Sequence, residues 1–193
     1  MLLPHSRLLD VPVMSLQTGA ELARTSRPII DPRNLKIIAF ELDGEHLDET
    51  PSLIRIEDIR EASTLGFIVD SSDEFIGVDD VIKIKQVYMY DFRLLDLPVI
   101  DTHHHKLGTV CGFTYEPKGY VIQQLNVKRP FLLSLADAEK LIHRSQIISI
   151  KDDAIIVNSA DQPKSVALPV GQKYQNPFRQ PNTQPDAVQS SNR

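Results

Sequence analysis

Residues 93–99 read "RLLDLPV", and residues 7–13 read "RLLDVPV". The two differ only at Leu97 against Val11, one apolar side chain for another. They stand 86 residues apart, far beyond a helical heptad or a solenoid repeat. Such a spacing points to a small domain that was duplicated.

Working outward, "GAELARTSRPIIDPRNLKIIAFEL" from residue 19 aligns with "HHKLGTVCGFTYEPKGYVIQQLNV" from residue 104, now 85 apart. "DPRN" and "EPKG" read as turns. Proline pre-sets φ early in each, and Asn34 or Gly119 tolerates φ > 0 at its end. Strand-forming runs flank both, so each copy carries a hairpin. Further on, "DIREASTLGFIVD" (58–70) lies under "QIISIKDDAIIVN" (146–158) at a spacing of 88. There Ile148 and Ile150 alternate with Ser149 and Lys151, the period of a half-buried strand. Each copy is thus a run of short strands in about 65–75 residues, enough for a small closed barrel.

Two stretches read differently. "LSLADAEKLIH" (133–143) has apolar residues at helical spacing behind Ser134, which predicts a capped helix; its counterpart "PSLIRIEDI" reads as a strand ending in one helical turn. Between the copies, "VIKIKQVYMY" (81–90) alternates apolar and polar residues, which predicts a strand and halves packed together. Beyond residue 160 the chain has five Pro and six Gln in 161–193 and few core-forming residues, so this tail is expected to be disordered. Tyr174 and Phe178 are its only aromatics.

The bulk composition is globular, with 41% hydrophobic and 24% charged residues; aromatics are only 6%, with no Trp, so the core must be built mainly from Ile, Leu and Val. Cys111 is the only cysteine, which fits a reducing cytoplasm. Pro4, His5, Arg7 and Asp10 interrupt the N-terminal apolar residues, and no apolar run spans a bilayer; neither a signal peptide nor a transmembrane segment is expected. Basic and acidic residues number nine and sixteen over 1–88, eight and eight over 89–160, and four and two over 161–193. No segment concentrates the positive charge that phosphate neutralisation requires.

The order "LLDLPVIDTHHHKLGTVCGFTYEPKGYVIQQLNV" followed by "QIISIKDDAIIV" resembles the PRC-barrel domain, well over 93–158 and more weakly over 7–70. Departures include His104 where Gly19 stands in the first copy, Ala23 where Gly108 stands in the second, and the acidic insertion "DGEHLDETP". The resemblance implies small, loosely SH3-like β-barrels. It also implies a binding or scaffold role: such domains occur in the cytoplasmic part of a photosynthetic reaction-centre subunit and in a ribosome-maturation factor that docks on a ribosomal protein.

No residue cluster makes a persuasive catalyst. In "THHHKLG", His103 and His105 can converge on an extended chain while His104 cannot, and no ligand set completes a metal site; an exposed turn is the better reading. The acidic loop 41–51 lacks the ligand alternation of a calcium site. Asp10 and Asp96 read as turn anchors, and Cys111 as a buried, inert thiol. Phosphate loops, nucleophile elbows and zinc pairs are missing from the sequence.

The expectation is an all-β protein of two tandem PRC-type (SH3-like) barrels packed about a pseudo-twofold. They occupy 1–88, with a connecting segment from about residue 71, and 89–160, followed by a disordered tail over 161–193. Its expected function is a non-catalytic cytoplasmic adaptor for an unidentified protein partner, with no cofactor. Tyr115, Tyr120, Lys128, Arg129 and Phe131 form the candidate surface, because aromatic and basic positions on the neutral half suit an interface. Ribosome or RNA association is the alternative, which the charge does not favour, and weak metal binding through the His cluster comes third.

Overall fold

The two heptads are buried alike. In a computed structural model that describes residues 1–45, 47–129 and 139–158, their burial matches position by position: Leu8 and Leu94 are buried, Leu9 and Leu95 exposed, Val13 and Val99 sealed in the core. Asp10 (φ 55°) and Asp96 (φ 66°) both take the left-handed conformation that turns the chain into the first strand of each half.

The strands are β1 (Leu3–Pro4), β2 (Pro12–Ser15), β3 (Glu21–Asp31), β4 (Lys36–Asp43), β5 (Ser52–Arg55), β6 (Glu61–Ala62), β7 (Phe67–Val69), β8 (Phe75–Gly77), β9 (Pro98–Asp101), β10 (Lys106–Glu116), β11 (Val121–Lys128), β12 (Lys140–His143), β13 (Ile147–Ile150) and β14 (Ile155–Val157). Helix α1 (Ile82–Met89) lies between β8 and β9. The fold is mostly β. Among the described residues the strands form one curled sheet in the order β13-β14-β9-β10-β11-β4-β3-β2-β7-β6, with β1 on β10, β12 on β11, and β5 between β4 and β8.

Register repeats along with sequence. Val13 faces Ala23 and, in parallel, Phe67; Val99 faces Gly108 and Ile155 at the same offsets. The β3–β4 hairpin is bulged at Thr25/Arg27 and Ile29/Ile30, and the β10–β11 hairpin at Val110/Gly112 and Thr114/Tyr115. Three left-handed positions recur: Asp10 with Asp96, Gly19 with His104, and Leu35 with Tyr120. At the turns the positive φ falls on Leu35 (51°) and Tyr120 (53°), not on Asn34 and Gly119 as expected from sequence. Both side chains are buried, so core packing offsets the strain of a non-glycine left-handed residue.

The halves meet at these turns. Ile37 N–H donates to the Tyr120 carbonyl at 2.9 Å, and Ile122 N–H to the Leu35 carbonyl at 2.9 Å. This reciprocal exchange joins β4 to β11 within the sheet. One hydrophobic core runs from Leu8, Val13 and Phe40 of the first half to Leu94, Val99 and Leu125 of the second.

The structure corrects two secondary-structure expectations. Residues 82–89 are helical, with Ile84 and Val87 buried and Ile82 76% exposed. The alternation lasts only to Lys85–Gln86, whereas Val81, Ile84, Val87 and Tyr88 share a helical face. That face covers Ile29, Ala39 and Leu53 on the outer side of the first half's sheet. Thr114, Gln124 and Leu141 hold the corresponding positions in the second half, and Leu141 stays 57% exposed. The helix predicted over 133–143 gives way at its end to strand β12, where Ile142 pairs with Leu125; its earlier part, and the tail read as disordered, lie outside the described residues. The counterpart "PSLIRIEDI" is strand β5 followed by a 3-10 turn at Ile56–Asp58, as expected.

Candidate functional site

Of the residues proposed from sequence, the two tyrosines pair in the core and the two basic residues are exposed. Tyr115 and Tyr120 stack at 5.8 Å between ring centroids and are buried, with 3% and 7% of their surfaces exposed. Burial raises both phenols, Tyr120 to about 12, with its neighbour Tyr115 adding to the effect. They are core residues, which corrects their assignment to an exposed surface. Lys128 and Arg129 are exposed at the end of β11 and form no ion pair with a described residue. Phe131 lies outside the described residues.

The histidine cluster is a turn built around a buried carboxylate. Asp101 ends β9, and its Oδ1 accepts the His103 and His105 backbone N–H groups at 2.8 Å each, while Oδ2 meets His105 Nδ1 at 3.1 Å. His103 and His105 stack at 6.0 Å, and His104 takes φ 64° where the first half has Gly19. Ser15 stands at the corresponding position in the first half, accepting Thr18 N–H at 3.2 Å. Among the described residues, no group of three or more His, Cys, Asp or Glu is arranged to hold a metal ion.

Burial pushes the Asp101 carboxyl up, but the bonds from His105 and His103 outweigh it and hold it below the usual carboxylate range. A carboxylate more acidic in the folded than in the unfolded chain stabilises above its unfolded value, near pH 4, and that contribution is lost as pH falls through the folded value. Asp101→Asn is therefore expected to flatten the loss of stability on acidification below about pH 4. Urea midpoints at neutral and acidic pH check this, and parallel curves for the two proteins would contradict it.

Asp10 and Asp96 are exposed turn residues, and Asp10 pairs with Arg24 at 3.1 Å. Cys111 is exposed rather than buried, because it is the extra residue of the bulge between Val110 and Gly112. Its thiol donates to the Asn126 carbonyl at 3.4 Å, and desolvation followed by nearby Glu139 raises its pKa, which leaves it a poor nucleophile.

Sequence reasoning missed a slot of about 310 Å³ between the first half's 32–35 turn and β13. All four residues of β13, Ile147 to Ile150, line it. Because alternate side chains of a strand point to opposite faces, this opening runs along the flank of the strand. β13 ends the strand order, and among the described residues it pairs only with β14. Lys151 N–H donates to the Ala154 carbonyl just beyond the Ile150–Ile155 pair, which makes that pair the kind that exchanges no bonds of its own. The backbone N–H and C=O of Ile150 thus face away from β14. Ile148 is bulged out between Ile147 and Ser149 and is 57% exposed. Arg33, which is paired with Asp31, and Arg144 also line the slot, and among the described residues no carboxylate lines it. The sequence signal was "IISI", whose alternation gave the strand but not the bulge.

No family model matches the chain, and no curated protein matches it.

Proposed function

We propose that this protein is a non-catalytic, cytoplasmic protein-binding module made of two tandem PRC-type, SH3-like barrels, and that its partner docks along β13. The architectural part is supported by the recurrence of registers, bulges and left-handed residues at the same offsets in both halves. The observation that carries the functional part is the open flank of β13. Unpaired strand edges are natural templates for another chain. This edge is short and bulged, yet it keeps the Ile150 backbone open and presents an exposed isoleucine, Ile148.

A photo-crosslinking side chain at position 148, with one at Leu65 as control, tests this reading. Leu65 is 80% exposed in the first half's 63–66 turn. In native lysate, position 148 is expected to capture one discrete polypeptide that Leu65 does not. Equal capture from both positions, or none, would overturn it.

A further inference from the structure

The chemistry of the slot specifies its occupant. Arg33 binds the buried Asp31 carboxylate through Nε at 2.9 Å and Nη2 at 3.2 Å, leaving Nη1 without a partner among the described residues. The side chain of Arg33 is 62% exposed. Arg144 makes one long bond, from Nη1 to the Ile122 carbonyl at 3.5 Å, and forms no ion pair with a described residue. Arg33 and Arg144 thus line one opening with donors to spare, beside a strand edge that supplies backbone N–H and C=O. Guanidinium forks match carboxylates in charge and in planar geometry.

Resting on the docking reading above, we infer that the slot takes an extended acidic segment of another protein. That segment adds as a strand to β13 and sets a carboxylate against Arg33 and Arg144. Backbone pairing supplies affinity, Ile148 supplies apolar contact, and the two arginines supply the preference for acid.

Other occupants fit less well. The chain's own residues 161–193 carry four basic and two acidic side chains, the wrong balance for two arginines. The corresponding edge of the first half also lacks the chemistry: Lys118 and Ile56 stand where Arg33 and Arg144 do. Arg60, which stands where Ile148 does, is bound to Asp70, and the strand there is only Glu61–Ala62. One edge has kept a docking flank that its twin has lost.

The test uses the full chain and two labelled octapeptides, Glu-Val-Thr-Val-Glu-Val-Thr-Glu and its analogue with glutamine at every glutamate. Polarisation titrations at about 0.15 M salt report affinity, and amide chemical shifts report location. The acidic peptide is expected to shift residues 147–150 and to bind about tenfold more tightly than the glutamine analogue. Arg144→Ala, with an unchanged melting curve, is expected to remove most of that preference. Arg144→Glu should reverse the preference, so that the glutamine analogue binds more tightly than the acidic peptide. Equal binding of the acidic and glutamine peptides at 147–150 would overturn the acidic requirement while leaving the docking reading intact. Failure of every peptide to bind, or shifts confined to another surface, would overturn both.

Discussion

Phe40→Ala is expected to cost about 3–5 kcal/mol, a large share of the stability of an ordinary domain. Phe40 has no exposed surface. Its ring lies 5.2 Å from Phe67 within the first half and 6.2 Å, edge-on, from Tyr120 of the second. Truncation removes the transfer free energy of the ring and opens a cavity where the halves join, and the buried strands around it can collapse only partly. Equilibrium denaturation in guanidinium, compared by midpoint and slope, measures the cost. Because the core is continuous, the variant should still unfold in one transition. A cost below about 1 kcal/mol would show that Phe40 is not buried as described.

The second large effect concerns a glycine that only one half has kept. Gly108 has φ +151°, a region reserved for glycine, and a Cβ there would fall on the Lys128 carbonyl oxygen of the neighbouring strand. Gly108→Ala is expected to cost about 3 kcal/mol, since β10 and β11 must part at that point or the backbone must leave its native region. Ala23 holds the corresponding position between β2 and β4 and does not have a positive φ. The reciprocal change, Ala23→Gly, is expected to cost only about 1 kcal/mol, mainly through unfolded-chain entropy. Equal costs would contradict the difference in backbone conformation between the two positions.

Much of the strand plan was legible because similar stretches recur at nearly constant spacing. The heptads mark the entry to β2 and β9, and the Asp-Pro and Glu-Pro turns mark the tips of the long hairpins. Spacings of 86, 85 and 88 residues then reappear as matching registers. Helix α1 was not legible, because what decides its conformation is the apolar patch of Ile29, Ala39 and Leu53, which exists only once the sheet has formed. Tertiary burial overrode a short alternating pattern there.

The candidate site was harder still. Tyr115 and Tyr120 have the composition of an interface but fill the core, because a bulged hairpin turns them inward. Cys111 and Ile148 were misread for the converse reason: each is a bulge residue thrown outward from a strand whose simple alternation would bury it. The slot joins Arg33 and Arg144 from opposite halves, and no local pattern announces such a meeting.

The central claim is that two copies of one unit face each other across a reciprocal backbone contact and share a single core. Amide hydrogen exchange at Ile37 and Ile122 tests it most directly, because their N–H groups cross reciprocally between the halves. The account predicts that both exchange at matching protection and as slowly as Val13 and Val99 in the core, through global unfolding alone. Fast exchange at either amide, with the core valines still protected, would contradict it.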